Sequence, residues 1–301
     1  DVPLAPAALR ERLVGCDGAL VMPGDRIDAA LLDACPRLRV VANMAVGHDN
    51  IDVDACTARG VLATNTPDVL TEATADFGFA LMLAAARRLG EAERYLRAGR
   101  WQRWSVDLLL GAEVHGTTLG LLGMGRIGQA IARRGALGFG MRVLYHARHP
   151  LPADAAAAVG GRFVDKATLL AESDHLVLVL PYSPATHHAI GAPELAQMKP
   201  TATLTNLARG GIVDDAALVQ ALRGGRIAAA ALDVFEGEPA LHPALLALPN
   251  AVLTPHIGSA TRATRLAMAA LAADNLLAAL GGRMPPTPLN PQVLALPRRQ
   301  A

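Results

Sequence analysis

The chain has 301 residues, of which 52% are hydrophobic, so it can bury a sizeable core and has the length of two ordinary domains. Its 28 lysines and arginines nearly balance its 27 aspartates and glutamates, which gives a formal net charge of +1. The basic residues are scattered without a long basic run, so composition excludes an electrostatic nucleic-acid binder.

The cysteine pattern and the lengths of the apolar runs bear on where the protein works. Cys16, Cys35 and Cys56 show no CxxC or other paired spacing, which is typical of small buried side chains and of a reducing compartment, so we expect a cytoplasmic location. No apolar run approaches the roughly 18 to 20 residues of a membrane span, so we expect no membrane partner. The sequence starts at Asp1 without a Met or a preceding strand, and we expect a missing N-terminal segment.

Short apolar segments alternate along the chain with longer helical segments rich in Ala, Leu and Arg, which is the pattern of βα units on a parallel sheet. Unbroken apolar runs such as Leu176–Leu180 are typical of strands buried on both faces. The clearest helices are 128–137 and 216–223. The predicted strands, in chain order, are Gly18–Met22, Arg39–Ala42, Thr118–Leu122, Arg142–His146, His175–Leu180, Ala202–Asn206, Ala229–Asp233 and Val252–Thr254.

Two junctions divide this α/β chain. The first is an Ala-rich helix at 71–88 with its following connection, and the second follows His256, where a long Ala/Leu helix begins. We predict a nucleotide-binding domain at residues 74–259 and a discontinuous second domain made of residues 1–73 and 260–301. Both are expected to be doubly wound parallel-sheet lobes with a cleft between them.

The segment TLGLLGMGRIGQAIA at 118–132 predicts a strand, a GxGxxG turn and a helix. Gly123 permits the tight turn, Gly125 lets the backbone approach a pyrophosphate, and Gly128 lets the helix pack closely on the strand. The phosphates would meet the free N–H groups at the helix start. Because a second strand follows at the expected distance, the pattern favours a dinucleotide site over a structural glycine turn.

The residues after that second strand indicate which dinucleotide binds. An NAD-specific site normally carries an acidic residue about 20 positions after the glycine loop. No Asp or Glu occurs from Gly128 to Ala153, and Arg148 follows the second strand. A guanidinium can hold a 2′-phosphate that a carboxylate would repel. We therefore predict NADP(H) over NAD(H); the alternative is that Arg148 is a solvated loop residue.

Three further segments follow predicted strands, and each carries one side chain suited to catalysis. They are NLARGGIVD at 206–214 with Arg209, ALDVFEGEP at 231–239 with Glu238, and PHIGSAT at 255–261 with His256. Since the carboxyl ends of parallel strands line one crevice, we expect these side chains to lie beside the cofactor. Singly, each could be a solvated or buried structural residue; together they predict an active site. No spacing indicates a metal site.

With the glycine loop, these segments make the chain resemble the D-2-hydroxyacid dehydrogenase family over essentially its whole length. The stretches ANMAVGHDNID at 42–52, TNTPDVLTEATAD at 64–76 and GSATRATR at 258–265 are similar to those of glyoxylate/hydroxypyruvate reductases, including a bacterial branch that also reduces 2-ketogluconate. The resemblance implies a Rossmann cofactor domain, a flavodoxin-like substrate domain and NADPH-dependent reduction of small 2-keto acids to D-2-hydroxy acids.

The resemblance also implies residue roles. His256 would protonate the carbonyl oxygen, Glu238 would hold the imidazole and favour its charged form, and Arg209 would grip the substrate. The positions assigned to the substrate are Val46, Gly47, Arg209 and Ser259. The positions assigned to the cofactor are Thr74, Gly123, Gly125, Arg126, Ile127, Gly128, Ala147, Arg148, His149, Pro181, Thr186, Leu207, Ala208, Arg209, Asp233, His256 and Gly258.

One position departs from the family pattern. Leu108 stands where relatives often carry a Trp that reaches into the neighbouring subunit's cleft, and Trp101 and Trp104 lie too far upstream to replace it. This leaves the preference for the substrate side chain open and favours a roomier site that accepts longer sugar acids.

Other functions remain as alternatives. A dinucleotide-sensing binding protein or co-repressor on the same fold can keep the same residues. A formate dehydrogenase would carry Gln in place of Glu238, and a phosphoglycerate dehydrogenase with a regulatory extension would have a longer tail after Pro291. The helix at 71–88 and its connection, together with the resemblance, predict a homodimer built through the cofactor domain.

Overall fold

The computed structural model describes residues 4–295, and their contacts divide them into two compact units. One unit contains the described residues up to Leu70 and from Ser259 onward, and the other contains Thr71–Gly258. These boundaries, after residues 70 and 258, differ slightly from the predicted ones after residues 73 and 259. The predicted outer limits at residues 1 and 301 lie outside the described residues.

The regular elements alternate between strands and helices along most of the described chain. The strands are β1 (Gly18–Val21), β2 (Val40–Asn43), β3 (Leu62–Thr64), β4 (Thr118–Leu122), β5 (Arg142–His146), β6 (Gly161–Phe163), β7 (His175–Leu178), β8 (Thr203–Asn206), β9 (Ala229–Leu232) and β10 (Ala251–Leu253). The α-helices are α1 (Pro6–Leu13), α2 (Ala29–Ala34), α3 (Val53–Ala58), α4 (Thr71–Ala86), α5 (Leu89–Arg97), α6 (Arg126–Arg133), α7 (Ala153–Ala158), α8 (Lys166–Glu172), α9 (Ala192–Leu195), α10 (Asp215–Arg223) and α11 (Arg262–Leu280). A π-helical turn at Arg134–Gly138 and 3-10 turns at Pro243–Ala247 and Pro291–Ala295 complete them.

The first unit is built on a parallel sheet with the strand order β1-β2-β3. Its short helices begin at aspartate caps: the Asp28 carboxylate accepts from the amide of Leu31, and that of Asp52 accepts from the amide of Ala55. Such caps satisfy amides that have no partner within the helix. Strand β3 was not predicted, because three buried residues are too few to show a period.

Helix α11 of this unit has the length and hydropathy of a candidate membrane span, by length and composition only. It packs on β1 and β2 and buries Met268, Ala272 and Asn275. The side-chain amide of Asn275 donates to the Asn65 carbonyl and to the Thr287 hydroxyl at 3.2 and 2.8 Å. The buried residues of α11 therefore belong to the packing of this unit.

The second unit contains a parallel sheet with the order β10-β9-β8-β7-β4-β5-β6. From β4 the chain adds strands first on one side, through β5 and β6, and then on the other, from β7 outward. The order therefore reverses between β4 and β7, which is where a doubly wound sheet opens a crevice for a ligand. The predicted α/β class with parallel sheets is confirmed.

Burial explains which elements of this unit were predictable. Every residue of β7 and of β8 is buried. The apolar run at 176–180 indicates this for β7, which ends at Leu178 rather than at Leu180, whereas three of the four residues of β8 are polar. The predicted helix at 71–88 is α4, which ends at Ala86 and buries Phe79 and Met82. Strand β6 was missed because it is three residues long and largely exposed.

Candidate active site

The turn between β4 and α6 leaves backbone open to a ligand. Gly123 has a φ of 100°, and a Cβ there would lie 2.4 Å from the carbonyl oxygen of Val179, so a side chain is excluded. A Cβ on Gly125 would meet nothing within 4 Å, and Gly125 is the N-cap of α6. A Cβ on Gly128 would lie 2.7 Å from the Gly123 carbonyl oxygen. The tight turn, the open approach and the close helix packing together make an anion cradle at a helix N-terminus.

The end of β5 lies beside this glycine turn. The amide of Gly123 donates to the carbonyl of His146 at 2.8 Å, which fixes the two strand ends to each other. Ala147 is half-buried, whereas Arg148 and His149 are exposed. An exposed guanidinium therefore follows the strand next to the phosphate-binding turn, in a stretch with no carboxylate.

His256 and Glu238 form a hydrogen-bonded pair after neighbouring strands β10 and β9. Nδ1 of His256 lies 2.8 Å from Oε2 of Glu238. Because an ionised carboxylate only accepts, Nδ1 carries the proton and Nε2 is left for chemistry. His256 has a φ of 53°, a left-handed conformation that is uncommon outside glycine and occurs at functional sites.

The Glu238 carboxylate is held from two sides. Its Oε1 accepts from the amide of Phe235 at 2.8 Å, while its Oε2 faces His256. Burial alone would raise the pKa of Glu238, but the hydrogen bonds from His256 and Phe235 and the nearby charge of Arg209 bring it below its usual value. The carboxylate is therefore ionised at neutral pH.

Asp233 shapes the loop that carries His256. Its carboxylate is 2% exposed, and its Oδ1 and Oδ2 accept from the amides of Ile257 and Gly258, each at 2.8 Å. Oδ1 also accepts from the Thr254 hydroxyl at 2.7 Å, and the amide of His256 donates to the Asp233 carbonyl at 2.9 Å. The Asp233 carboxylate therefore holds this loop in place. The contact of Asp233 with the cofactor stays a prediction.

Arg209 lies on a turn after β8 that is held by Asn206. The Asn206 side chain donates to the Arg209 carbonyl at 2.9 Å and accepts from the amide of Ala208 at 3.1 Å. A Cβ on Gly210 would lie 1.8 Å from the carbonyl oxygen of Phe235, so only glycine lets the turn pack on the segment that leads to Glu238. Arg209, Glu238 and His256 thus follow the adjacent strands β8, β9 and β10.

Thr74 offers a buried polar atom on α4. Its Oγ1 has no hydrogen-bond partner among residues 4–295. A Cβ on Gly258 would lie 3.6 Å from Cγ2 of Thr74, which places this helix against the His256 loop. A buried hydroxyl without a partner costs free energy unless a ligand satisfies it. Together with the open turn at Gly125, it fits a bound dinucleotide.

The other predicted cofactor positions are spread around the same strand ends. Pro181 is exposed and Thr186 is half-buried; the Thr186 hydroxyl accepts from the amide of Ser183 and donates to the Pro181 carbonyl, so it closes that turn. Leu207 and Ala208 are each 9% exposed and can offer little besides backbone. At the start of α6, Arg126 is exposed and Ile127 is half-buried.

The predicted substrate positions outside Arg209 belong to the other unit. Val46 and Gly47 are half-buried, and their carbonyls accept from the side chains of Asn65 and Asn43 at 2.8 and 2.9 Å. Ser259 is half-buried, and its carbonyl accepts from the amide of Thr261 at 2.8 Å. Their contacts with a substrate stay predictions.

Two residues that position the site were missed from the sequence. Asn206 was included as the end of a strand and the start of the NLARGGIVD segment but was given no role, although Asn at a strand end is a turn signal. Asp215 is 5% exposed, and its Oδ2 accepts from the amide of Glu236 at 3.2 Å. Burial raises its pKa. Its place beside the Glu238 loop depends on a contact between residues 21 positions apart, which no local pattern shows.

Comparison with known proteins agrees with this geometry. Residues 79–258 match the model of the D-isomer specific 2-hydroxyacid dehydrogenase NAD binding domain, so the second unit binds a nicotinamide dinucleotide. The chain is 52% identical over 290 residues to a glyoxylate reductase of Thermococcus onnurineus, covering 95% of this chain and 86% of the relative. It is also 52% identical over 284 residues to a glyoxylate reductase of Aeropyrum pernix, covering 92% and 84%.

Solved structures share the fold of this chain. A protein from Thermus thermophilus has a TM-score of 0.89 and 49% identity, covering 96% of this chain and 91% of that one. An NADPH-dependent glyoxylate/hydroxypyruvate reductase from Sinorhizobium meliloti, solved with NADP and malonate, has a TM-score of 0.86 and 40% identity, covering 96% and 88%. The resemblance predicted from the sequence is confirmed: the chain belongs to the D-isomer specific 2-hydroxyacid dehydrogenase family.

Proposed function

We propose that this protein is an NADPH-dependent reductase of small 2-keto acids, with glyoxylate and hydroxypyruvate as its main substrates. The observation that carries the proposal is the 2.8 Å hydrogen bond between His256 and Glu238, beside the turn that holds Arg209. An acid, its orienting carboxylate and a cation at three adjacent strand ends match the needs of keto-acid reduction.

Reduction adds a hydride to the carbonyl carbon and a proton to the carbonyl oxygen. The bound cofactor supplies the hydride. His256 delivers the proton from Nε2, because Nδ1 is committed to Glu238. Arg209 binds the substrate carboxylate, for which a planar guanidinium provides two parallel donors. After turnover His256 is neutral and takes a proton from solvent.

The substrate proposal draws on the glyoxylate reductases among the relatives and on the glyoxylate/hydroxypyruvate reductase among the similar structures. The test is a panel of glyoxylate, hydroxypyruvate, pyruvate and 2-ketogluconate with NADPH, comparing kcat/KM. We expect glyoxylate or hydroxypyruvate to rank first, and 2-ketogluconate to be accepted because Leu108 replaces a larger aromatic residue. Pyruvate or 2-ketogluconate ranking far above both would contradict the proposal.

The same panel separates an enzyme from a dinucleotide-sensing protein on this fold. A binding protein would take up NADPH, seen as quenching or enhancement of cofactor fluorescence, without oxidising it with any keto acid. Cofactor binding without turnover would therefore reject the proposed reaction and leave the family assignment intact.

The preference for NADPH rests on Arg148 and on the absence of a carboxylate in the stretch from Gly128 to Ala153. Arg148 is exposed next to the glycine turn, where it can hold a 2′-phosphate through charge-assisted hydrogen bonds. The test compares kcat/KM for NADPH and NADH with one keto acid. A higher value with NADH would contradict the preference.

We also propose that the protein is a homodimer built through its cofactor-binding unit. The connection after α5 carries large apolar side chains at its surface: Trp104 and Val106 are each 77% exposed, and Leu110 is 65% exposed. Clustered apolar groups of this kind mark contact surfaces. Light scattering after gel filtration should give twice the chain mass, and Trp104→Lys with Val106→Lys should shift the mass towards one chain.

The proposed location is the cytoplasm. Cys16, Cys35 and Cys56 are all free in the structure, and Cys35 and Cys56 are buried. Free thiols persist in a reducing compartment. Cell fractionation with an antibody against the protein tests this proposal, and recovery from the membrane or secreted fraction would contradict it.

A further inference from the structure

A group of metal-ligand types lies outside the catalytic set, on the same unit. His187 and His188 belong to the segment after β7, and Glu236 belongs to the segment after β9. One ligand atom from each of the three side chains lies within 4.8 Å of the others. The sequence predicts no metal site here, because 48 positions separate His188 from Glu236.

His188 and Glu236 already face each other, and the His187 ring lies beside them. Nε2 of His188 lies 3.1 and 3.2 Å from the two carboxylate oxygens of Glu236. The rings of His187 and His188 are stacked, with centroids 3.9 Å apart and planes 22° from parallel. Side chains of consecutive residues point apart in an extended strand, whereas here they lie side by side.

The backbone holds His188 in this arrangement. His188 has a φ of 48°, the left-handed conformation that costs free energy for a residue with a Cβ. Its amide donates to the Gly211 carbonyl at 2.7 Å, and the amide of Ile190 donates to the Ile212 carbonyl at 3.0 Å. These two hydrogen bonds hold the backbone of the segment after β7 against the turn after β8 and so fix the backbone that carries the two imidazoles.

Two imidazoles and a carboxylate are a ligand set that Zn²⁺ and related divalent transition metals use, with a further position left for water. Ligand atoms on one tetrahedral ion, at about 2.0–2.1 Å from it, lie roughly 3.3 Å apart. The separation between His188 and Glu236 already matches this value, and rotation of the exposed His187 ring would supply the third ligand. An ion there would replace the proton that His188 shares with Glu236.

We propose that His187, His188 and Glu236 bind one divalent transition-metal ion of the Zn²⁺ class at a site separate from the catalytic pair. The site lies close to the catalytic segment in the chain, because Glu236 precedes Glu238 by two residues. His187 packs against the turn after β8, since a Cβ on Gly211 would lie 3.6 Å from its Nδ1. The ion joins the segment after β7 to the segment leading to Glu238 and stabilises this unit. The proposal does not depend on which keto acid is reduced.

The test is a titration of tag-free, chelator-treated protein with Co²⁺, whose visible absorption becomes intense when imidazole and carboxylate ligands replace water in a tetrahedral site. We expect saturation at one Co²⁺ per chain and displacement by Zn²⁺. With Zn²⁺ at about a hundredfold excess over its Kd, the Tm should rise by about 5 °C.

The variants are His187→Ala, His188→Asn and Glu236→Gln. Asn is chosen at position 188 because it tolerates the left-handed backbone. Each should weaken Co²⁺ binding at least about tenfold, since even the loss of a residue that merely supports a ligand costs that much. At the same Zn²⁺ concentration, each should also lower the Zn²⁺-dependent rise in Tm to about half of the parent value or less. His115→Ala, which removes an exposed histidine elsewhere on the unit, should bind Co²⁺ like the parent protein.

Circular dichroism and NADPH binding show whether each variant is folded. If His188→Asn does not fold, Co²⁺ binding is measured instead on the double variant His187→Ala with Glu236→Gln. Two results would overturn the site: a weak, non-saturating Co²⁺ spectrum in the parent protein, or saturation that the folded ligand variants leave unchanged.

Discussion

The carboxylate of Glu238 accepts a 2.8 Å hydrogen bond from Nδ1 of His256, although 18 residues separate them in the chain. The pair fixes which nitrogen of the imidazole faces the substrate. Because the amide of Phe235 holds the other carboxylate oxygen, Glu238 cannot turn away without breaking a second hydrogen bond. The imidazole is therefore oriented before a substrate binds.

Replacing His256 removes the proposed proton donor. We expect His256→Asn to lower kcat for keto-acid reduction by about two to four orders of magnitude, the usual contribution of a positioned acid. Asn is preferred to Ala because the position has a φ of 53°. Steady-state kinetics measure the effect, and NADPH affinity is the control. A loss below about tenfold would reject His256 as the acid.

Replacing Glu238 by Gln keeps a hydrogen-bonding side chain but removes the charge. The pKa of Glu238 is below its usual value, so the parent carboxylate is ionised across the neutral range and offers His256 a charged hydrogen-bond acceptor. Glu238→Gln should lower kcat for reduction at neutral pH by about tenfold or more, because a hydrogen bond to a charged group contributes about 1.5–3 kcal/mol. NADPH affinity is the control and should stay close to that of the parent protein. A kcat within about twofold of the parent value would show that the charge of Glu238 is not needed.

Arg148 is expected to set the choice of cofactor. Arg148→Ala should lower kcat/KM for NADPH by about ten- to a hundredfold, the value of a charge-assisted hydrogen bond, and leave NADH nearly unaffected. The matched control is Arg223→Ala, which removes an exposed arginine at the end of α10. Equal losses with both cofactors would mean that Arg148 does not contact the 2′-phosphate.

Stability should decrease in mild acid because of His175. The side chain is 1% exposed, with Nε2 3.1 Å from the Glu113 carbonyl and Nδ1 2.8 Å from the Thr203 hydroxyl. Burial lowers the pKa of His175 from 6.5, against the opposing effects of the Glu113 carbonyl and Asp174.

Below about pH 6.5 the unfolded chain therefore binds a proton that the folded chain does not. The free energy of unfolding should fall by up to about 1.4 kcal/mol per pH unit until the pH reaches the folded-state pKa. Urea unfolding between about pH 7.5 and 5.5 measures it. His175→Gln should be less stable at neutral pH but flatter in this range; an identical slope in the variant would assign the effect to other groups.

Local sequence patterns were sufficient to predict the elements that carry the active-site residues. The glycine turn, the fully buried strands and the residues that follow them are all visible in the sequence, because turn chemistry and hydrophobic periodicity act over a few residues. The rule that parallel strands end on one side then predicted that Arg209, Glu238 and His256, each at the end of a strand, would line one crevice. Strands β3 and β6 were missed because three residues carry too little pattern.

The sequence by itself thus determined the fold class and which side chains could react. Asn206 holds the turn of Arg209 through a local contact, three residues along the chain. Only the tertiary structure placed Asp233 on the His256 loop, Asp215 beside Glu236 and His188 against Glu236. These three contacts join residues on different strand ends or turns, and their distances depend on strand order and loop packing, which arise only when the whole sheet has formed.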